Sequence, residues 1–341
     1  MHDRTELATA RPQAIDGLSW KQSLRSAVRH VDELADLLDL SESWRSSARR
    51  AARLFPLLVP RDYIARMRPG DPDDPLLRQV LPIDLEERDV PGYRADPVGD
   101  LPALRAPGLI QKYRGRALLV VSGLCAVNCR YCFRRHYPYE ETPQGVAAWE
   151  PAMRELEGDG SIREVILSGG DPLVLTDETL SRLVRRLEEI PSLRRLRIHT
   201  RLPIVIPDRV DTRLLDWLTR TRLTPWVVVH ANHPRELSGR CGEALGRLVD
   251  AGVPVLNQSV LLRGVNDDAR VLAELCERLA DLRVVPYYLH QLDPVAGAAH
   301  FHVPESRGLE ILAELHRELP GYAVPRYVRE TEAMAHKVEI R

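Results

Sequence analysis

The most informative segment of this chain begins at residue 123 and reads Gly123-Leu124-Cys125-Ala126-Val127-Asn128-Cys129-Arg130-Tyr131-Cys132-Phe133-Arg134-Arg135. Its three cysteines have the spacing C-x3-C-x2-C and directly follow an apolar run at 117–121. Soft thiolates at such short spacing can hold one iron–sulfur cluster. Because three cysteines bind only three irons of a four-iron cluster, one iron is left for a ligand that is not part of the protein.

A zinc site is the alternative explanation for these cysteines, with His136 as the fourth ligand. The chain has five cysteines, so three in one short segment are unlikely to be accidental. Cys241 and Cys276 stand alone on predicted helices, where we expect buried small side chains and no ligand role. The sequence therefore favours the cluster over zinc.

The bulk composition is that of an ordinary globular protein. The 341 residues include 48 basic and 49 acidic side chains, which argues against electrostatic capture of nucleic acid or a membrane. No apolar run approaches the roughly 20 residues of a membrane span, and residues 1–15 lack the apolar core of a signal peptide. We therefore expect a cytoplasmic protein, in a compartment that keeps thiolates reduced.

Changes in composition divide the chain into four parts. We expect a disordered tail at 1–15, a helical N-terminal region and wrapping arm at 16–115, a barrel at 116–303, and a C-terminal helix with a further segment at 304–341. Helical spacing of apolar residues predicts helices at 20–40, 43–54 and 62–67. Repeated prolines interrupt any pattern across the arm, and the sequence does not indicate where the arm lies.

From residue 117 onward, short β-rich runs alternate with helical stretches. The predicted strands are 117–122, 163–167, 194–200, 225–231, 253–260 and 283–289. The predicted helices are 146–157, 177–189, 210–220, 240–251 and 266–280. Successive strands after the second start roughly 30 residues apart, which is one β-α unit per step. Six such units predict an α/β partial barrel, (β/α)6, related to the TIM barrel, and a doubly wound open sheet is the alternative.

Polar residues follow five of these strands at the point where each strand ends. They are Ser168 to Asp171, His199 and Arg201, His230, Asn257 to Ser259, and His290, Gln291 and Asp293. In parallel α/β barrels the carboxyl ends of the strands form the functional site. We therefore expect one cavity beside the cysteine segment.

The cysteine spacing, with Tyr131 before the third cysteine, resembles the radical S-adenosylmethionine superfamily. This resemblance implies that Cys125, Cys129 and Cys132 hold a 4Fe–4S cluster. It also implies that the open iron binds S-adenosylmethionine, which an electron cleaves to a 5′-deoxyadenosyl radical. The barrel would then be of the radical S-adenosylmethionine type, with the C-terminal segment closing the site.

Longer strings narrow the resemblance to the lysine 2,3-aminomutase family, from about Asp71 onward. They are Cys132 to Arg135, His230 to Pro234, Asn257 to Asp267, and Pro286 to Tyr288. Within the family, the resemblance is greatest to the branch that makes (R)-β-lysine for modification of elongation factor P. The strings that support this branch are Asp73 to Leu81, Phe133 to His136, and Gly297 to Phe301.

The family implies cofactor contacts at several positions of this sequence. For S-adenosylmethionine these are Ser168, Gly169, Gly170, Asp171, His230 and Gln258. For a second cofactor, pyridoxal 5′-phosphate, they are Lys112, Tyr113, Arg116 and Lys337. Lys337 would form the Schiff base with the resting cofactor, although the glycine-rich run that precedes this lysine in the family is missing here. The alternatives are a satisfied barrel histidine at His230 and a solvated lysine at Lys337.

The resemblance also implies a substrate site for L-lysine. Arg134 would meet the carboxylate, and Asp293 and Glu330 would meet the ε-ammonium. The second acid is normally Asp in the free-lysine enzymes. The alternatives are contact of Arg134 with a cluster sulfide and pairing of either acid with Arg326 or Arg329.

The expected activity is that of an isomerase converting L-lysine to (R)-β-lysine. The remaining alternatives are a free-lysine enzyme of catabolism or osmolyte synthesis, an aminomutase for another amino acid, and a docking partner of elongation factor P or its lysyl ligase. A flavodoxin- or ferredoxin-type electron donor and a homo-oligomer are further partners that the family implies.

Overall fold

The computed structural model describes residues 19–332 and 334–341. The tail expected at 1–15 lies outside the described residues. The N-terminal region contains five short helices: α1 Trp20–Arg25, α2 Val31–Leu37, α3 Glu42–Ala51, α4 Arg61–Ile64 and α5 Pro75–Arg78.

The single helix predicted at 20–40 is wrong, because the chain breaks into α1 and α2. Val28, between them, forms an antiparallel bridge with Val59. The N–H group of each residue donates to the carbonyl oxygen of the other, at 2.8 and 2.9 Å. This long-range pairing takes the backbone groups that a continuous helix would use, so periodicity alone does not show the break.

The rest of the described chain builds one sheet and its covering helices. In order, the elements are β1 Leu104–Ala106, β2 Leu109–Ile110, β3 Arg116–Ser122, α6 Glu150–Gly158, β4 Glu164–Gly169, α7 Asp177–Glu188, β5 Arg195–Thr200, α8 Leu202–Val205, α9 Thr212–Arg220, β6 Thr224–Val229, α10 Arg240–Asp250, β7 Val255–Val260, α11 Ala269–Asp281, β8 Val285–His290, α12 Glu305–Glu318, β9 Arg326–Arg329 and β10 Val338–Glu339.

The strand order of this sheet runs sequentially from β1 to β10. Neighbours from β3 to β9 are parallel, whereas β1, β2 and β10 pair antiparallel at the two edges. A doubly wound sheet requires a reversal of strand order, and this sheet has none. The partial barrel and its six strands are thus confirmed, and β9 adds a seventh parallel strand that the sequence did not reveal.

The helices cover the sheet with one apolar face each. On α7, for example, Leu180, Leu183 and Leu187 are fully buried, at helical spacing. The helix begins where the Thr176 side chain accepts a hydrogen bond from the Thr179 N–H group. Over the residues that the structure describes, no helix is both long enough and apolar enough to cross a membrane.

The proline-rich arm, residues 68–108, packs against the barrel at defined positions. Arg94 forms a bridge with Val295, just after β8, and pairs with Glu332 at 2.7 Å. Farther along the arm, Asp100 reaches the segment after the cysteines by pairing with Arg134 at 2.6 Å. The arm therefore contacts both the first and the last parts of the barrel.

Candidate active site

A cavity of about 700 Å³ lies inside the barrel beside the cysteine segment. Its wall includes every site residue that the sequence predicts. These are Lys112, Tyr113, Arg116, Cys125, Cys129, Cys132, Arg134, Ser168, Gly169, Gly170, Asp171, His230, Gln258, Asp293, Glu330 and Lys337. The fold thus brings together residues that are up to 225 positions apart along the chain, from 112 to 337.

The loop after β4 is pressed against the cysteine segment. The Gly170 N–H group donates to the Ser122 carbonyl oxygen, and the Asp171 N–H group donates to that of Leu124, both at 2.7 Å. A Cβ atom at Gly170 would lie 2.2 Å from the Leu124 oxygen, so no larger residue fits there. This contact leaves the backbone of the loop exposed to the cavity beside the three cysteines.

Asp171 lines the cavity, but its carboxylate is occupied by the protein. It accepts hydrogen bonds from the Thr200 hydroxyl at 2.8 Å and from the N–H groups of Leu173 and Arg201 at 2.9 and 2.7 Å. Burial raises the pKa of Asp171 to about 6, against these hydrogen bonds. The carboxylate therefore holds the loop in shape and has little capacity left for a ligand.

The three cysteines are free thiols that face the cavity. Burial raises the pKa of Cys132 to about 11, so a metal must displace its proton. His136, the fourth ligand of the zinc alternative, does not line this cavity, and its Nε2 atom lies 3.0 Å from the Ala296 carbonyl oxygen. Among residues 19–332 and 334–341, no three side chains of the metal-binding types form a single-ion site. A cluster fits better, because each thiolate binds a different iron.

His230 is hydrogen-bonded within the protein and also faces the cavity. Its Nε2 atom lies 2.8 Å from the Tyr131 hydroxyl group, and the two rings stack with their centroids 5.6 Å apart. Burial, together with the nearby positive charge of Arg201, lowers the pKa of His230 to about 3. The histidine is therefore neutral, with the cavity on one side and a fixed partner on the other.

Two further histidines line the cavity without a role assigned from the sequence. The Nε2 atoms of His199 and His290 are buried, and no described residue offers either of them a hydrogen bond. Burial and the charge of Lys337 lower the pKa of His290 to about 3, so its ring is neutral. Both belong to the strand-end residues noted in the sequence, and both are available to a ligand.

Not every polar strand end points into the cavity. The Asn257 side chain bonds both backbone groups of Ala231, and the Ser259 hydroxyl donates to the same carbonyl oxygen at 2.7 Å. Gln291 donates to the Val303 carbonyl oxygen at 2.9 Å. Because side chains alternate along a strand, Gln258 faces the cavity whereas its two neighbours face away.

A chain of alternating charges runs along the cavity wall from Arg134, two residues after Cys132, to Lys337. Arg134 pairs with Asp100 at 2.6 Å, and Asp100 pairs with Lys112 at 2.5 Å. Lys112 pairs with Glu330 at 2.9 Å, and Glu330 pairs in turn with Lys337. The sequence does not identify Asp100 as a site residue, because it lies in the irregular arm and belongs to no recognisable motif.

The charges of the two lysines control Glu330. Burial opposes its ionisation, but Lys337 and Lys112 outweigh burial and hold the Glu330 pKa well below its ordinary value. Arg326 and Arg329, the alternative partners, contact the Tyr288 hydroxyl and Glu305 instead. Glu330 is therefore an ionised acid within the cavity.

Asp293 is a second acid in the cavity with the opposite behaviour. Burial raises its pKa to about 7, and the negative charges of Glu330 and Asp100 add to this effect against Lys337. In the absence of a ligand, Asp293 is therefore partly protonated near neutral pH. A cation placed beside it would favour the ionised form.

The position of Lys337 follows from strand pairing near the end of the described chain. β10 pairs antiparallel with β9, with Val338 opposite Arg329. This register brings Lys337 next to Glu330, on the wall of the cavity, and not into solvent. Arg116 lies farther along the same wall, 4.6 Å from the centre of the Tyr113 ring.

The comparisons with known proteins agree with this geometry. Residues 119–224, which span the cysteine segment and the first β-α units, match the model of the radical SAM superfamily. The fold and the cavity thus define a radical S-adenosylmethionine enzyme.

Full-length relatives identify the family within this class. The chain is 46% identical over 312 residues to L-lysine 2,3-aminomutase of Escherichia coli strain K12, covering 91% of each protein. It is 42% identical to the Haemophilus influenzae protein of that name, covering 94% of each. It is 34% identical to the Clostridium subterminale protein of that name, covering 92% of this chain and 75% of the relative. The chain therefore belongs to the lysine 2,3-aminomutase family.

Membership of this family makes the protein an isomerase and implies three cofactors: a 4Fe–4S cluster, S-adenosylmethionine and pyridoxal 5′-phosphate. The residues fit these groups. Three free cysteines face the cavity. Histidine nitrogens without a partner among the described residues, exposed loop backbone and Lys337 line the same cavity.

Proposed function

We propose that this enzyme converts L-lysine to (R)-β-lysine, and that it uses S-adenosylmethionine and pyridoxal 5′-phosphate to do so. The observation that carries the proposal is the arrangement of the cavity. Three cysteines line the same cavity as Asp293 and Glu330 and as the cations Lys112, Arg134 and Lys337. The cluster and S-adenosylmethionine supply a radical when bound, and pyridoxal phosphate supplies a π system that can carry a migrating amino group.

The charged side chains that line the cavity are complementary to the carboxylate and the ammonium group of lysine. Arg134 offers a planar fork for the substrate carboxylate, and Asp100 accepts a hydrogen bond from the same guanidinium at 2.6 Å. Binding would therefore exchange one carboxylate for another at Arg134. Asp293 and Glu330 lie where a substrate ammonium would find two acceptors, and its arrival would favour the ionised form of Asp293.

Lys337 is the best candidate for the lysine that holds pyridoxal phosphate. The chain has three lysines, Lys21, Lys112 and Lys337. Lys21 lies on α1 and does not line the cavity. Lys112 Nζ is held by three oxygen atoms, those of Val98, Asp100 and Glu330, whereas within 19–332 and 334–341 Lys337 Nζ pairs with Glu330 alone. Lys337 therefore has fewer contacts to break before its amine can act as a nucleophile.

The small number of lysines makes a decisive test simple. Purified protein would be reduced with borohydride, digested and searched for the pyridoxyl group among the three lysine-containing peptides. We expect the label at Lys337, and loss of pyridoxal absorbance in Lys337→Ala. Lys21→Ala is the control, because Lys21 lies on α1 and does not line the cavity, and it should preserve the absorbance. Label at Lys112 would refute the assignment.

The activity itself can be tested with free lysine. The protein would be reconstituted with iron and sulfide under anaerobic conditions, then incubated with L-lysine, S-adenosylmethionine, pyridoxal phosphate and dithionite. We expect β-lysine of the (R) configuration, with S-adenosylmethionine not consumed in proportion to product. Glutamate is the competing substrate to include, and its turnover in preference to lysine would refute the proposal. The two acids in the cavity argue against an acidic side chain there.

We further propose that the product serves the modification of elongation factor P, with electrons from a flavodoxin- or ferredoxin-type protein. The strings quoted from the sequence support this branch. Supplying the purified enzyme with free lysine, or with lysine already attached to elongation factor P, would separate a small-molecule enzyme from one that acts on the protein.

A further inference from the structure

Arg201 makes a direct contact with one of the three cysteines. Its Nη1 group donates a hydrogen bond to Cys129 Sγ at 2.7 Å. Arg201 follows β5 and is separated from Cys129 by 72 residues, so the contact arises only in the folded barrel. The sequence identified Arg201 as a polar strand end and gave it no role.

The second amino group of this guanidinium, Nη2, is fixed by permanent partners. Nη2 donates to Gln79 Oε1 at 2.6 Å, to Glu236 Oε2 at 2.9 Å and to the Tyr63 hydroxyl at 3.2 Å. The Arg201 backbone N–H group also donates to Asp171 at 2.7 Å. Four elements of the fold thus point one N–H group of the arginine at the sulfur atom.

The arginine is also certain to be charged. An arginine guanidinium keeps its proton in proteins, and Glu236 supplies a counter-charge at 2.9 Å. The side chain is 7% exposed, so water screens its charge little. A fixed positive charge therefore lies in contact with a sulfur atom that ligates the cluster.

We propose that Arg201 is a positioning residue that raises the reduction potential of the cluster through its hydrogen bond to Cys129. Reduction adds one electron, and therefore one negative charge, to a cluster that already carries three thiolates. A hydrogen bond and a positive charge at one thiolate stabilise the reduced form more than the oxidised form. The proposal rests on the cluster assigned above, and it does not depend on the identity of the substrate.

The direct measurement is the midpoint potential of the reconstituted cluster, titrated by electron paramagnetic resonance without S-adenosylmethionine or substrate. In Arg201→Gln, we expect the ratio of reduced to oxidised cluster at a fixed potential to fall about tenfold. For a one-electron couple this corresponds to about 59 mV toward more negative values. Iron content should match that of the parent protein.

Arg201→Lys tests geometry apart from charge. A lysine side chain is shorter than arginine and ends in a single ammonium group without a fork. It should therefore stay paired with Glu236 and Gln79 and lose the contact with the sulfur atom. We expect a potential between those of the parent and Arg201→Gln. Arg209→Gln is the matched control, because Arg209 is fully buried and paired with Asp177 at 2.7 Å without lining the cavity. It should lower stability and leave the potential unchanged.

Two results would overturn the proposal. The first is a loaded Arg201→Gln variant whose cluster titrates at the parent potential. If Arg201→Gln does not retain iron, Arg201→Lys decides the question. A cluster in Arg201→Lys with the same midpoint potential as the parent protein would then overturn the proposal. Turnover is measured separately, so a wrong substrate would leave these potentials interpretable.

Discussion

Two charged regions of the molecule use their charge differently: the cluster end, behind the cysteine segment, and the lysine end, on the cavity wall around Lys112 and Lys337. Beside the cysteines, Glu86 pairs with Arg130 at 2.5 Å and with Arg135 at 2.8 Å, and all three side chains are at most 1% exposed. None of them lines the cavity. At the lysine end, Lys112 and Lys337 pair with acids that line the cavity with them. The side chains of the two lysines are 14% and 23% exposed.

This difference separates charges that maintain the fold from charges that meet a ligand. Breaking a pair that is sealed from solvent leaves a bare charge in the protein interior, so its partners are permanent. A pair that faces the cavity can exchange one partner for a charged ligand without leaving any charge unpaired. The cluster end is therefore preorganised, and the lysine end is arranged to rearrange on binding.

The proline-rich arm supplies several of the residues that pack against the cysteine segment at the cluster end. Glu86 belongs to the arm, and so does Gln79, whose carbonyl oxygen accepts a hydrogen bond from the Arg130 N–H group at 2.9 Å. The Phe55 ring lies 5.0 Å from the Arg130 guanidinium and 4.8 Å from that of Arg135. The N-terminal region thus braces the cysteine segment from outside the barrel.

The largest effect on cluster content and activity is expected from removing a cysteine at the cluster end. Cys129→Ala should lose the cluster and reduce β-lysine formation to background, because no neighbouring side chain replaces the thiolate. Iron and sulfide analysis with the visible spectrum would measure the loss. Cys241→Ala, on α10, is the control and should keep the iron content of the parent. A fully loaded Cys129→Ala protein would contradict the assignment.

A smaller but clear effect is expected from the buried pair that braces the cysteines. Glu86→Gln leaves two buried arginines without a counter-charge and should cost about 3 kcal/mol of unfolding free energy. Denaturant unfolding of the apo protein measures this. Glu42→Gln, in an exposed pair with Arg49, should cost less than about 1 kcal/mol. Equal losses in the two variants would remove the distinction drawn between the ends.

At the lysine end, the expected effect is on binding and not on the fold. Asp293→Asn removes a charge that pairs with the substrate ammonium, and it should raise the KM for lysine by about 100-fold. The iron content and the potential of the cluster should stay the same. Asp250→Asn, in a surface pair with Arg283, is the control with a normal KM. Unchanged KM in the first variant would take Asp293 out of the substrate site.

The smallest effect is a pH dependence that belongs to the lysine end alone. The pKa of Asp293 is raised to about 7, above the value of about 3.9 for an unfolded aspartate. The ligand-free protein should therefore lose stability as pH rises through about 7, because ionisation then opposes folding. Lysine binding should instead weaken as pH falls below about 7, by up to tenfold per unit.

Asp293→Asn should abolish both pH effects. Thermal unfolding and KM, each measured between pH 5.5 and 8, would show whether it does. A parent enzyme with a flat KM across this range would show that Asp293 is already ionised without a ligand.

Much of this architecture was present in the sequence as local pattern. Strand and helix periodicities placed the six strands of the barrel. Sequential strand order was still needed to exclude the doubly wound alternative. The helix predicted at 20–40 failed for a related reason, because the pairing of Val28 with Val59 overrides local propensity.

The candidate site shows the same division. Cysteine spacing, strand ends and family strings identified residues that all line one cavity. They did not identify Asp100, which lies in an irregular segment, or the neutral histidines His199 and His290 as free groups. Nor did they show that the carboxylate of Asp171 is consumed by the loop that it shapes.

The sequence by itself determined which chemistry the chain carries, because ligand type, spacing and strand-end position are properties of short segments. Only the tertiary structure decided which charges are paired and with what. Lys337 meets Glu330 through the β9–β10 pairing, Asp100 meets Arg134 through the path of the arm, and Arg201 meets Cys129 across the barrel mouth. Such contacts depend on the packing of distant segments, and no periodicity in the chain encodes them.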